Sequence, residues 1–313
     1  MINLVHIPKQ IIDTSKYSNL LHDKIIYKFE EEFADYVGAK YACAVRSATD
    51  GIFLSLKAAD HFECYDICTV PSLITTRFLN ALISANFEYR FEDDVDWVGH
   101  DYKLLDTPNM KIYDSAQRVD KNQFSEHLNS DIIIFSFYPT KPIGGLQGGM
   151  VVSNNKEVID WIRDASHFGE DFSTDSWNGK TKFVGWQIFM DSVNAEMAYN
   201  NFKAYPDKKE KFQEISYIYE DGFPDSAVIT KQSDHLFRVM VKDNQQAMEI
   251  LKEKGIITGV HYKTAHTDKV YGNNVSLPKS EYHAKHCLSL PYHTEITGRE
   301  IIKVIDAVMP LIK

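Results

Sequence analysis

Cysteine is scarce in this chain: Cys43, Cys64, Cys68 and Cys287 are the four in 313 residues, and no two form a C-x-x-C pair. A chain of this length with so few thiols is not held by a disulfide framework, so reduced and mostly buried thiols are expected. His61 stands near Cys64 and Cys68, but no fourth ligand accompanies them and Cys68 falls in the apolar run DICTVPS, which argues against zinc. Long hydrophobic runs are also missing. Nowhere do ~18 apolar residues follow one another, and the opening MINLVHIPKQ has no basic stretch leading into an apolar one, so a soluble cytoplasmic protein is expected. Positive charge is in deficit, 34 Lys and Arg against 44 Asp and Glu, which disfavours nucleic acid or an anionic membrane as the main partner. Two nucleotide fingerprints are absent as well: there is no GxxxxGK[ST], and no GxGxxG follows a strand-like run.

What is present is an alternation of strand-like and helix-like segments. KIIYKFEEEFADYV, residues 24–37, repeats apolar side chains at helical spacing and stops at Gly38. YACAV then reads as a buried strand, residues 46–50 as a polar turn, and a helix follows from Gly51. The pattern recurs in YDICTVPS with TTRFLNALISAN, in NMKIYDSAQ without a clear helix, and in DIIIFSFYP with NKEVIDWIRDAS. Such alternation predicts an α/β protein with a mainly parallel sheet, sandwiched by helices, whose site lies at the carboxyl ends of the strands. A composition shift around NNFKAYPDKKEKFQE marks a hinge or connecting helix. It divides a large domain, residues 1–205, from a smaller C-terminal α/β domain, residues 206–313, on which the N-terminal segment could also pack. In the smaller domain NQQAMEILKEKG reads as a helix capped by Asp243 or Asn244 and ended by Gly255, and TGREIIKVIDAVMPLIK as an amphipathic one.

Three strand ends carry chemistry. Lys141 sits between the apolar run at residues 132–137 and the glycines of GGLQGG. A lysine held out of water tends to lose its proton, and a neutral amine is the nucleophile that an aldehyde cofactor such as pyridoxal phosphate (PLP) requires. On spacing alone, a lysine that merely reaches solvent remains open. Asp114 ends the strand-like KIYD, where a carboxylate can pair with a protonated pyridine nitrogen or simply cap a following helix. In RSATDG, Ser47, Ala48 and Thr49 open a helix with free backbone N–H groups, a turn suited to a phosphate, to which Ser136 can add a hydroxyl.

The ordered set FEEEFADYVGAKY, SATDG, VPS, YDSAQ, FSFYPTKPIGGLQGGMVVSN, HFG, GVHY and CLSLPYH resembles the DegT/DnrJ/StrS family of PLP-dependent sugar aminotransferases over nearly the whole chain. That resemblance implies the fold type I architecture of aspartate aminotransferase and a homodimer with sites at the subunit interface. It also implies transfer of an amino group, usually from glutamate, to a nucleotide-linked keto-deoxysugar. Carried onto this sequence, Lys141 would form the internal aldimine and shuttle the proton. Asp114 would pair with the pyridine nitrogen, Gln117 would meet the ring hydroxyl, and Ala48, Thr49 and Ser136 would bind the phosphate. His167, His261 and Tyr262 would lie near the substrate.

Three departures from the family pattern shape the expectations. Ile74, Thr75 and Thr76 occupy the place of a ring-stacking aromatic, which predicts weaker stacking. Residues 88–114 are shorter than usual, as if a strand–helix unit were missing. Gln187 stands where the family sends an amide to the partner's phosphate, and Phe189 stands for a polar group, so that contact is expected to be weakened. Asn194 and Glu196 continue the following helix. The alternatives are a non-catalytic sensor or assembly protein with this fold, motivated by these departures, and a sugar dehydratase, which would commonly carry histidine in place of Lys141.

Overall fold

In the computed structural model, which describes residues 1–7, 9–171, 180–230, 233–273 and 275–313, the helix expected over residues 24–37 forms as α1 (Lys24–Val37). The Asp23 carboxylate accepts the Ile25 N–H at its start, and Gly38 closes it in the left-handed region at φ +78°. β1 (Tyr41–Val45) follows, then α2 (Ala48–His61). This helix starts three residues before the expected Gly51, because the Ser47 hydroxyl accepts the Asp50 N–H at 3.1 Å and so caps the chain at Ser47. Next come β2 (Cys68–Pro71), α3 (Thr76–Ala85), β3 (Tyr89–Glu92), β4 (Tyr102–Asp106), β5 (Lys111–Asp114), β6 (Ile132–Ser136), β7 (Gly149–Ser153) and α4 (Lys156–Ser166).

A five-stranded sheet runs in the order β1-β7-β6-β5-β4. Its strands read as continuous apolar runs because both faces are covered. Cys43, Val45, Ile132, Ile134 and Val151 point to one side, where they pack with α2, α3 and α4 residues such as Leu54, Leu79 and Ile159. Ala42, Ala44, Ile133, Phe135, Met150 and Val152 point to the other, against Phe29 and Phe33 of α1 and Ala198 and Phe202 of α5 (Ser192–Lys203). The three-layer fold is therefore as expected, but the strand directions are mixed rather than mainly parallel. β5 and β6 are parallel, as are β2 and β3, whereas β1 with β7, β7 with β6 and β4 with β5 are antiparallel. The connections explain this: no helix crosses over between β4 and β5 or between β6 and β7, and a short link without a crossover can join only antiparallel neighbours.

The chain continues through α6 (Tyr205–Gly222), which follows α5 across Ala204, into β8 (Arg238–Met240), α7 (Asn244–Glu253), α8 (Pro278–His286), β9 (Cys287–Ser289) and α9 (Gly298–Val308). Asp243 caps α7, and Gly255 follows it at φ +74°. A third apolar cluster gathers Tyr219, Phe237, Val239, Leu251, Leu288 and Val304, and Ile2 joins it through backbone hydrogen bonds with Gly255 and Ile257.

The shortened stretch between β3 and β5 holds β4 and no helix. The C-terminal elements cover it instead. Asp93 accepts the Lys279 and Ser280 N–H groups of the first turn of α8, at 2.9 and 2.7 Å, and Ser233 donates to the Gly99 carbonyl at 2.9 Å. Tyr89 donates to the Tyr271 carbonyl at 3.0 Å. Arg238 of β8, 1% exposed, reaches the Val98 carbonyl at 3.2 Å.

Gly149 shows how closely the layers meet. A Cβ there would lie 2.6 Å from the Ala48 nitrogen and 2.7 Å from the Ser47 carbonyl carbon, both backbone atoms of the α2 entry. Gly149→Ala is expected to force β7 from α2 and to cost about 1–3 kcal/mol, read from the midpoint of urea unfolding.

Candidate active site

The carboxyl end of β6 leads into a compact loop. Phe137 N–H donates to Gly148 O at 2.9 Å and Gly145 N–H to Phe137 O at 2.8 Å, so the two ends of the loop are joined across its base. Within it Lys141 N–H donates to Tyr138 O at 2.9 Å and Gly144 N–H to Lys141 O at 2.9 Å. Gly144 is needed here, because a Cβ would lie 2.6 Å from the Pro139 carbonyl oxygen. The loop turns the Lys141 side chain into a cavity of about 960 Å³ between the large sheet and the C-terminal elements.

That cavity brings together most of the residues singled out above. Ala48, Thr49, Asp114, Gln117, Ser136 and Lys141 all line it, and so do His261 and Tyr262. Burial lowers the Lys141 ammonium from its ordinary 10.5 to about 8, an effect that the Asp114 carboxylate opposes. Burial likewise pushes the Asp114 carboxyl upward; the Ala116 N–H at 2.9 Å, the charge of Lys141 and the Tyr102 hydroxyl at 3.2 Å pull it back. Gln117 accepts the Gly99 N–H through Oε1 at 2.9 Å, which leaves its amide nitrogen as the donor. The Ala48 and Thr49 N–H groups, also in the lining, lie in the first turn of α2, where helix geometry leaves them without an intrahelical acceptor. The Ser136 hydroxyl stands beside them, accepting the Tyr138 N–H at 3.3 Å.

His261 pairs through Nδ1 with the Ser289 hydroxyl at 2.8 Å, and burial together with the nearby Lys141 and Arg238 charges lowers its imidazole to about 3. It is neutral at any physiological pH.

His167 is not brought to this cavity. It ends α4 and stacks on Phe189, with ring centroids 4.6 Å apart and planes 8° apart, beside His22. Gln187 pairs with His167 in an isolated bridge, and Phe189 pairs with Val45. Phe189 therefore fills an aromatic cluster and takes no part in the wall around Lys141 within one chain. Ile74, Thr75 and Thr76 do line the cavity.

Among the lining or supporting residues that the sequence did not mark are Trp97, Tyr102 and His235. Trp97 and Tyr102 belong to the segment that departs from the family pattern, so no motif marked them. His235 is buried beside Lys141, and burial and that neighbouring charge hold its imidazole well below its usual range. A histidine just ahead of the apolar LFRVMV was the available signal.

The residues fit PLP. A carboxylate, an amine of lowered basicity and the backbone N–H groups that open α2 face one space. Among the described residues no group of three or more His, Cys, Asp or Glu could hold a metal ion, and no helix is long and apolar enough to cross a membrane.

Comparison with known proteins agrees with this chemistry. The sequence pattern of the DegT/DnrJ/EryC1/StrS aminotransferase family matches residues 6–79 and 125–309, omitting the shortened segment. A UDP-4-amino-4,6-dideoxy-N-acetyl-beta-L-altrosamine transaminase of Campylobacter jejuni is 24% identical over 93% of this chain and 90% of its own length. Among solved structures, the sugar aminotransferase CalS13 of Micromonospora echinospora superimposes with a TM-score of 0.81 at 16% identity, covering 99% of this chain and 100% of that one. The NtdA protein of Bacillus subtilis, with bound cofactor PMP, superimposes with a TM-score of 0.80 at 18% identity, covering 93% and 78%.

Proposed function

We propose that this chain, which belongs to the DegT/DnrJ/EryC1/StrS aminotransferase family, transfers an amino group from glutamate to a nucleotide-linked keto-deoxysugar, with PLP anchored covalently at Lys141. The observation that carries the reading is the convergence of Lys141, Asp114 and the open N-terminus of α2 on one cavity. Bound PLP supplies an aldehyde for the amine and an electron sink for the carbanion formed when a substrate loses its proton.

The chain's own residues do the rest. Ala48 and Thr49 N–H groups with the Ser136 hydroxyl hold the phosphate at the positive end of α2. Asp114, whose carboxyl is raised by burial and pulled back in part by the Ala116 N–H, Lys141 and Tyr102, would pair with the protonated pyridine nitrogen. Gln117 offers its amide N–H to the ring hydroxyl. The free Lys141 amine, which burial holds at about 8, would be basic enough to take a proton and weak enough to return it near neutral pH. His261 and Tyr262 face the substrate from the C-terminal side.

The cavity is larger than a cofactor needs, and its rim supports a sugar nucleotide. Thr75, Thr76, Thr264 and Thr267 offer hydroxyls, and Arg77 and Lys263 offer exposed cations for phosphates in a chain that is otherwise acidic. The transaminase of Campylobacter jejuni bears a UDP-sugar in its name, which supports the same substrate class. A homodimer fits the surface beside the site: Tyr138 and Leu146, on the loop that carries Lys141, are each about half exposed.

The test is spectroscopic. Purified protein with PLP should show a visible absorbance band that is lost in Lys141→Ala and bleached by glutamate, and light scattering should report a dimer. The bleached form should then return to its first spectrum on addition of a nucleotide-linked 4-keto-6-deoxysugar. A band indifferent to glutamate would sink the donor assignment. No band at all would favour a non-catalytic protein.

A further inference from the structure

Trp97 has no part in the roles above, yet it is among the most buried side chains of the cavity, 5% exposed, in the stretch between β3 and β4. Its indole meets the Tyr102 ring edge-on, with centroids 4.9 Å apart, and lies nearly parallel to Tyr262, at 10° and 6.1 Å. Tyr102 donates to Asp114, and Gly99, two residues beyond Trp97, donates to Gln117. The indole thus packs on the tyrosine that bonds Asp114, and its own chain segment bonds Gln117 through Gly99. The positions after β2, Ile74, Thr75 and Thr76, present no flat surface to that ring. Among the described residues Trp97 Nε1 has no hydrogen-bond partner, although it is buried.

A second observation explains how the indole is held. Arg238 is almost wholly buried and its hydrogen bonds go to neutral acceptors: the carbonyls of Val95 at 3.5 Å, Val98 at 3.2 Å and His261 at 3.3 Å, and the Thr230 hydroxyl. Val95 and Val98 flank Trp97, and His261 precedes Tyr262. One guanidinium from β8 thus fixes the backbone on both sides of the aromatic pair, a task for which its planar fork of donors is suited. Val95, Trp97 and Val98 lie in the segment that the family pattern skips, residues 80–124, whereas Arg238, Thr230 and His261 lie in the part it matches.

We propose that Trp97 is the aromatic surface on which the cofactor's pyridine ring rests, supplied from the β3–β4 stretch in place of an aromatic after β2, and that Arg238 is the positioning residue that holds it there. The proposal rests on the PLP reading above. An offset-stacked aromatic pair contributes beyond its buried area, because ring quadrupoles favour that arrangement. Cofactor affinity in this chain should therefore depend on a ring at position 97.

The experiment compares PLP binding to dialysed wild-type protein, Trp97→Phe, Trp97→Leu and Arg238→Gln, by equilibrium dialysis and by the visible circular dichroism of the bound cofactor. Far-ultraviolet circular dichroism and urea midpoints establish that each variant folds. Trp97→Phe keeps a ring and should bind within about 3-fold of wild type, whereas Trp97→Leu keeps apolar bulk alone and should bind about 10-fold more weakly. Arg238→Gln should weaken binding and alter the visible dichroism in the wild-type background, yet add little to Trp97→Leu, since both act through one surface. Equal affinity of the Leu and Phe variants would overturn the stacking role, and an equal loss from Arg238→Gln in both backgrounds would overturn the positioning role. If the wild type itself takes up no PLP, this inference falls together with the functional reading; uptake that ignores position 97 sinks the inference alone.

Discussion

Lys141→Ala is expected to lower amino transfer on the order of 10⁴-fold, because the variant loses both a covalent anchor and a proton shuttle, and general acid–base assistance alone is worth about 10²–10⁴. Steady-state turnover with glutamate and a keto sugar checks this, and residual activity above a hundredth of wild type would mean that another group moves the proton. His235 and His261 are the nearby candidates, but both imidazoles are neutral and held well below their usual range by burial and by Lys141 itself.

The same residue carries a stability signature in the cofactor-free protein. Its folded-state value of about 8 lies below the ordinary 10.5, so the unfolded chain holds the proton more tightly. Below about pH 8 both states are charged and the folded protein bears the full cost of the buried ammonium. Between about 8 and 10.5 the folded state is neutral while the unfolded one stays protonated, and the cost shrinks as pH rises. Lys141→Met, of similar bulk and no charge, should therefore melt above wild type at pH 7, with the difference fading towards pH 10.5. A gain that grows with pH would contradict the assignment.

Asp114→Asn has the second-largest expected effect, a loss of about 10²–10³-fold in turnover. The amide can still accept the Ala116 N–H and can donate to the Tyr102 oxygen, so the fold should be retained. What it removes is the charge that would keep a proton on the pyridine nitrogen. It also removes the attraction that opposes the burial of the Lys141 ammonium, so the lysine should titrate still lower than in wild type. The rate of PLP capture against pH reports this: its rise, set by the neutral amine, should shift to lower pH in Asp114→Asn. A rise that stays in place would show that Asp114 and Lys141 are not electrostatically coupled.

Much of the site was legible because its chemistry sits at strand ends. Asp114 closes β5, Ser136 closes β6, Lys141 follows β6, and Ala48 and Thr49 open α2 after β1. A charged or small polar residue that interrupts an apolar run is visible in one dimension, and both faces of this sheet are buried, so its strands stand out as apolar runs. His167 was a different case. The motif HFG suggested closeness to the substrate, but the chain turns this histidine against His22 and Phe189, outside the cavity around Lys141.

The strand directions could not be read, because alternation does not reveal whether a link crosses the sheet or turns back on itself. β4 and β5 pair antiparallel where a crossover helix would have made them parallel. Nor could Trp97, Tyr102 or Arg238 be assigned, since no local pattern distinguishes an indole in a loop from one in a cofactor wall.

The sequence by itself determined the layers, the helix caps and the residues that end the strands, since these depend on periodicity and on hydrogen bonds between near neighbours. Only the tertiary structure decided which of those residues share a cavity, what replaces the shortened segment, and how basic Lys141 is. Those properties arise from burial and from contacts between distant parts of the chain. The bond from Arg238 to Val98 spans 140 positions, and the pull of Asp114 on Lys141 exists only because folding removes the water between them.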